Sequence, residues 1–308
     1  MNNVISTRVS VFRNLKEYKF ENKLTSEQKQ EIVEILQKEL KSKMMLINTS
    51  NMDETVAQIL KENVLILGNT QNLFIDKKEI LAINLFNGEH ITIVSAVEGY
   101  DKKVVQTALS LEKHLSNKIN FAFTDEFGYL MSDITRIGAG LKLEANIMLS
   151  AIKSINKIEQ VKQNVAKLGF SLNETKFPAV YTLSTNCNLG IGENQIISDF
   201  ENTLKKLQEL ETESVKMLDV SKHDEIVDKS QRSMAILNAA HMLNYDELYN
   251  MIVNLRIGLN LGLVQIELKT LNKLQKLLIK KTNDYVSPSE LKDLATKVKQ
   301  ILKGGENV

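Results

Sequence analysis

Gly128-Tyr129-Leu130-Met131-Ser132-Asp133-Ile134-Thr135-Arg136-Ile137-Gly138-Ala139-Gly140-Leu141-Lys142 is the stretch on which the fold of this chain turns. Gly138-Ala139-Gly140 is too short for a dinucleotide loop, which needs a strand, GxGxxG and a helix in that order. Asp133 precedes Arg136 by three residues, a spacing that suits a local ion pair. Just outside the stretch the pattern is extended on both sides, as INFAF at 119–123 and again over 141–150. Helical spacing follows farther out, at 101–117 and 152–168, and AVYTLST at 179–185 is the last clear strand. Toward the N-terminus, Thr25 and Gln28 form a capping box ahead of Ile32, Ile35, Leu36 and Leu40, which predicts a helix over 25–42. Short extended runs lie at 64–68, 73–76, 79–86 and 91–96, the last two joined through Asn87-Gly88-Glu89-His90 as a hairpin. From Glu193 onward the pattern reads as four or five helices, Ser287-Pro288 opening the last. Hairpin-joined strands mixed with helices give an α+β class with an antiparallel sheet, followed by an all-helical region.

The 308 residues suffice for one large domain or two ordinary ones, and 43% apolar with 25% charged residues is a soluble globular balance. A formal charge of +1 gives no reason to expect nucleic acid or an anionic membrane as partner. No apolar run approaches a membrane span, and MNNVISTRV lacks a secretion signal's apolar core, so the cytoplasm is the expected location. Cys187 is the single cysteine, with no cation in its local sequence to activate it. His90, His114, His223 and His241 show no metal-ligand spacing, and no protein-bound metal is expected. Of the 39 basic residues only Arg8, Arg13, Arg136, Arg232 and Arg256 are arginines. Lysine cannot reproduce the planar fork that arginine offers to phosphate.

Several segments in register resemble the ATP:guanidino phosphotransferases. Ser6-Thr7-Arg8-Val9-Ser10-Val11-Phe12-Arg13-Asn14-Leu15 resembles the family's opening Ser-Ser-Arg-x-Arg-x-x-Arg-Asn-Leu. Asn87-Gly88-Glu89-His90-Ile91 resembles its Asn-Glu-Glu-Asp-His loop, one residue short. The stretch from Gly128 to Lys142 resembles Gly-Tyr-Leu-Thr-x-Cys-Pro-Thr-Asn-x-Gly-Thr-Gly-Leu-Arg without a gap, and Asn188-Leu189-Gly190-Ile191-Gly192-Glu193 resembles the Thr-Leu-Gly-x-Ser-Glu that closes the catalytic domain. Arg232-Ser233-Met234-Ala235-Ile236-Leu237 and Arg256-Ile257-Gly258 are similar to motifs in the helical domain of the bacterial protein-arginine kinases, which is the branch implied. The resemblance implies a guanidino-kinase-like domain over 1–192 and a helical, dimerisation-type domain over 193–308.

The resemblance also implies that ATP, with Mg, meets converging arginines, since bidentate guanidinium forks suit phosphate oxygens. Here Arg8 keeps one such position, Ser10 and Thr92 stand at two others, and Lys142 replaces a fourth arginine. The mobile loop with a further arginine would fall between Gly169 and Tyr181, an interval that is too short and contains none. Three losses at ~1.5 kcal/mol each total ~4.5 kcal/mol, or about 2,000-fold in affinity. By family position the candidate ATP contacts are Arg8, His90, Arg136 and Lys142, and the acceptor-side carboxylates are Glu89 and Asp133, the latter in place of the reactive cysteine. Plain readings stand beside these. Arg8 is read equally well as pairing with a neighbouring carboxylate, Arg13 as the anchor of the first strand, Glu89 as a solvated turn residue, and Asp133 as the partner of Arg136. The Arg-Asp-x-x-Arg-Ala stretch of active relatives, resembling a phosphoarginine sensor, is missing. The expectation is a catalytically impaired relative that associates through its helical domain, as a homodimer or with an active arginine kinase or a chaperone–protease system. The rivals are an active protein-arginine kinase with a rearranged site and a guanidine-binding module.

Overall fold

Strand β1 (Val4–Arg13) is the axis of the molecule, with antiparallel neighbours β5 (Ile91–Glu98) and β8 (Leu141–Met148) on its two sides. The computed structural model describes residues 3–41, 43–49, 65, 67, 70, 72–78, 80–175, 177, 179–186, 189–278 and 287–304. Around β1 the sheet extends through β2 (Met44–Asn48), β3 (Asn72–Asp76), β4 (Leu81–Leu85), β9 (Phe170–Glu174) and β10 (Val180–Thr185). The eight strands run in the order β2-β3-β4-β5-β1-β8-β10-β9, with antiparallel ladders throughout. Successive side chains alternate between faces. One face carries Val9, Val11, Leu141, Leu143, Ile91 and Ile93, all buried under helices α1 (Ser26–Leu40) and α2 (Lys103–Ser116). The opposite face carries Arg8, Ser10, Phe12, Thr92, Lys142, Glu144, Asn146 and Thr182, because those residues share register across the ladders.

The capping box of Thr25 and Gln28 forms as expected, and the loop from Asn87 to His90 joins β4 to β5. Three expectations are corrected. INFAF at 119–123 does not form a strand: only Phe123 enters β6 (Phe123–Thr124), which pairs with β7 (Gly128–Tyr129). The backbone at 120 and 122 bonds instead to Lys16 and Asn14, fastening the segment to the chain that leaves β1. The helix over 152–168 is two, α3 (Ser150–Ser154) and α4 (Ile158–Lys167), broken where Asn156 takes φ 56°. β2 and β9 escaped the sequence reading, and β9 with β10 forms a hairpin, Tyr181 opposite Glu174, within the interval where the mobile loop was sought. Of the run at 64–68 only Leu65 and Leu67 are described, neither in a strand, and Cys187 lies outside the described residues.

Helix α5 (Glu193–Ala239) runs out of the sheet region and is interrupted at Lys222, where φ is −145°. Ile196, Phe200, Leu204 and Leu207 belong to the sheet core, whereas Met234 and Leu237 pack in the helical cluster. The packing therefore changes hands near Lys222 and not at Glu193, because the first half of α5 closes the sheet's apolar face. Glu211 adds to that attachment by accepting from Ala151 N at 2.8 Å and Ile152 N at 3.0 Å, and burial pushes its carboxyl up to about 7. The rest comprises α6 (Tyr245–Asn260), α7 (Leu268–Leu277) and α8 (Pro288–Leu302), capped by Asn244 and Ser287, with Pro288 at the first position as expected. Leu248, Ile252, Leu255, Leu271, Leu274 and Val298 form its core, and Met148 and Val180 join them from the sheet. No helix among the described residues is long and apolar enough to cross a membrane.

Candidate functional site

The polar face of the sheet brings Arg8, Lys142 and Glu144 together. Arg8 stands directly opposite Glu144 in the ladder, and Lys142 precedes Glu144 by two residues, so all three project from one face. Arg8 Nε donates to Glu144 Oε2 at 2.8 Å, its Nη2 donates to the same oxygen, and Lys142 Nζ lies 2.9 Å from Oε1. Burial pushes the Glu144 carboxyl up, but the Arg8 and Lys142 charges outweigh it and hold the group below the usual carboxylate range. Of the two readings of Arg8, the structure realises the pairing with a neighbouring carboxylate. Ser10 lies between β5 and Lys142 and is buried, as is Thr92, whose Oγ1 has no hydrogen-bond partner among the described residues. Asn84 lies opposite Thr92, and its amide is bonded to Leu65 O and Leu67 N, so residues 65 and 67 cover this end of the face.

A second cluster gathers where the loop after β4 meets the segment after β7. Glu89 is not a solvated turn residue. It is fully buried, and Asn14 Nδ2 donates to it at 2.6 Å. Ser132 N donates at 3.1 Å and Asp133 N at 3.3 Å, while Arg136 Nη1 lies 3.9 Å away. Asp133 caps a short 3-10 turn, Ile134–Arg136, and pairs with Arg136 Nε at 3.2 Å. The Thr135 hydroxyl and amide, with Arg136 and Lys142, outweigh a small burial effect and hold Asp133 below its ordinary pKa. Arg136 also stacks on Phe12, 4.3 Å from the ring centre, so the two clusters lie along one strand, with Arg8 four residues from Phe12, or roughly 13 Å.

His90 does not present its ring to a nucleotide base. Its Nδ1 accepts from Leu15 N at 3.0 Å, which leaves Nε2–H to donate to Lys19 O at 2.7 Å, and the ring is fully buried. The neutral imidazole pins the segment after β1, and burial lowers its pKa from 6.5 despite nearby carboxylates. A histidine more readily protonated when unfolded removes stability as pH falls below about 6.5. Chemical denaturation should therefore show a decline from pH 6.5 to 5 that a His90→Gln variant, already weaker at pH 7, lacks.

Arg13 points to the apolar face and is an anchor. Its Nε donates to Glu112 at 2.8 Å, and Nη1 donates to Phe12 O at 2.7 Å and Ala139 O at 3.1 Å. Nη2 reaches Glu193 at 3.4 Å, and the guanidinium lies 3.4 Å from the Tyr129 ring centre. This explains Gly138-Ala139-Gly140. Gly140 has φ 58°, and a Cβ there would meet Arg13 Nη1 at 2.7 Å and Phe12 O at 2.9 Å.

Glu144 and Asn14 were missed by the sequence reading. For Glu144 the signal was available, since a strand over 141–150 puts it on the same face as Lys142. Asn14 holds both Glu89 and, through Oδ1, the His90 backbone N–H at 2.9 Å, a long-range role that no local pattern announces. No group of three or more His, Cys, Asp or Glu among the described residues is arranged to hold a metal ion.

An antiparallel sheet with a phosphate-facing arginine beside a buried glutamate loop is the framework of a guanidino kinase. Residues 15–214 match the family model of the ATP:guanido phosphotransferase C-terminal catalytic domain, and the chain belongs to that family, whose members use ATP. Residues 223–304 match the protein-arginine kinase McsB C-terminal domain, which puts the chain with the protein-arginine kinases, and the two matches change over around the break at Lys222. The protein-arginine kinase of Clostridium novyi (strain NT) is 26% identical over 98% of this chain and 94% of its own length. That of Halothermothrix orenii is 24% identical over 85% of this chain and 80% of its own. Lombricine kinase superposes with a TM-score of 0.61 at 16% identity, over 71% of this chain and 68% of its own, a likeness of fold.

Proposed function

We propose that this chain is a protein-arginine-kinase-like protein impaired in phosphoryl transfer, acting by binding or regulation in protein quality control. The observation that carries this reading is the Arg8–Glu144–Lys142 cluster, in which the surviving phosphate-facing cations are tied to one carboxylate. A triphosphate entering this face must displace that carboxylate or lie against its charge, and Ser10 and Thr92 bring no cation to offset the cost. At the reacting end, Glu89 already accepts from Asn14, Ser132 and Asp133, so taking up a guanidinium there would require those bonds to open. Calorimetry should find Mg-ATP binding at about 1 mM or weaker, and 0.2 mM ATP should leave the melting temperature within about a degree. The chain incubated with ATP and an arginine-rich protein should yield no stoichiometric phosphoarginine by mass spectrometry. Micromolar ATP binding with clear product would instead establish an active kinase with a rearranged site.

The binding role is assigned to association of two copies through the region after Glu193, with an active arginine kinase or a chaperone–protease system as further partners. Leu210, Met217 and Val220 are 43%, 55% and 90% exposed at near-helical spacing on α5, the kind of patch that a two-fold axis can pair with its own copy. Light scattering at tens of micromolar should give a dimer, and a monomer for Met217→Glu with Val220→Glu. A parent chain that stays monomeric removes the self-association.

A further inference from the structure

Between the polar face of the sheet and α7 lies a cavity of about 390 Å³, within the range of small-molecule sites. Its wall on the helical side includes Asn272 and Gln275, which are 7% and 4% exposed. Behind them stands Arg256 of α6, itself 4% exposed, whose Nη2 donates to Asn272 Oδ1 at 2.6 Å and to Gln275 Oε1 at 2.9 Å. A guanidinium offers donors alone, so both amide oxygens must face it, and both NH2 groups are turned the other way. Neither NH2 group has a hydrogen-bond partner in the protein, and both residues line the cavity. Two buried amides are thus held by Arg256 with their donors unspent.

The remaining lining defines what those donors face. Its charges cancel in pairs, Arg8 with Glu144 and Lys276 with Glu98, so the cavity does not select a polyanion. Apolar side chains, among them Val97, Phe177 and Val180, supply flat contact. Residues three apart on a helix lie about 5–6 Å from one another, close enough for two amides to converge on adjacent acceptors along one edge of a ring. The O6 and N7 edge of a 6-oxopurine is such a pair, whereas adenine sets an N6–H2 donor beside N7. We propose that this cavity binds a 6-oxopurine nucleoside, with Asn272 and Gln275 as the reading donors and Arg256 as a positioning residue. Occupancy would bridge the sheet and the helical region, and the site does not depend on whether ATP binds.

Titration of the full chain with inosine and with adenosine tests this by calorimetry. Inosine is expected to bind in the sub-millimolar range, and adenosine at least about tenfold more weakly, since a donor edge left against a donor is strongly discriminated. Gln275→Glu keeps the acceptor that faces Arg256 and removes the donor that faces the cavity. It should leave the melting temperature unchanged or higher and weaken inosine by about tenfold or more. Asn272→Asp repeats the logic if the first variant does not fold. No inosine binding up to several millimolar overturns the proposal, as does equal affinity for adenosine. So does a folded Gln275→Glu or Asn272→Asp chain that binds inosine like the parent.

Discussion

Arg13→Met is expected to lower the stability of the sheet region by roughly 3–5 kcal/mol, the cost of breaking a buried ion pair by removing one partner. The guanidinium is fully buried and serves three parts of the chain at once: Glu112 on α2, the carbonyls of Phe12 and Ala139, and Glu193 at the start of α5. Methionine fills much of the same volume, so a large loss would report on charge and hydrogen bonding more than on a void. Glu112 would remain without its cation, and burial already pushes the Glu193 carboxyl up even with Arg13 beside it. Arg13→Lys should fall between parent and Met, because an ammonium keeps the charge without the fork that reaches several acceptors. Urea denaturation of the three proteins measures the order. A Met variant within about 1 kcal/mol of the parent would mean the anchor is dispensable, and that the resemblance at Arg13 reflects ancestry alone.

What the sequence could disclose divides along the range of the interactions. Local devices were legible: the Thr25 and Ser287 caps, the hairpin at Asn87 to His90, and the alternation that sets Arg8 and Lys142 on one face of the sheet. INFAF misled because an apolar alternation does not say whether a partner strand is free, and here the backbone of Asn14 and Lys16 takes the bonds. β9 was hidden by its brevity and by two exposed residues at its end, Asn173 and Glu174. In the candidate site, motif position located Glu89, His90, Asp133 and Arg136 but not their partners. Glu89 lies 75 residues from Asn14, which buries it, and Arg8 lies 136 residues from Glu144, which neutralises it. Such pairings are fixed by sheet register, and register is a property of the whole fold.

The largest expected change in ligand binding comes from Glu144→Gln, a substitution outside every recognisable motif. A carboxylate about 6 Å from a phosphate charge, at an effective dielectric of about 20, contributes repulsion of roughly 3 kcal/mol. Removing it should tighten Mg-ATP by about 10- to 100-fold, with the Gln oxygen still able to accept from Arg8. The same change has an opposite effect on folding. Glu144 is held below its usual pKa, so its ionised form stabilises the native state above about pH 4.5, and that contribution is lost as pH falls through the depressed native value. The variant should therefore be less stable than the parent at pH 7, and the gap should close on acidification below about 4.5. Adding Lys142→Arg should improve ATP binding further by restoring a fork at an exposed position. Thr92→Arg should not, because Thr92 is fully buried opposite an Asn84 already bonded to Leu65 and Leu67. Neither repaired chain is expected to turn over, since Glu89 remains committed to Asn14 and to the amides at 132 and 133. Calorimetry gives the affinity and phosphoarginine detection gives the turnover. If Glu144→Gln binds Mg-ATP no more tightly than the parent, the carboxylate is not what closes this face to phosphate.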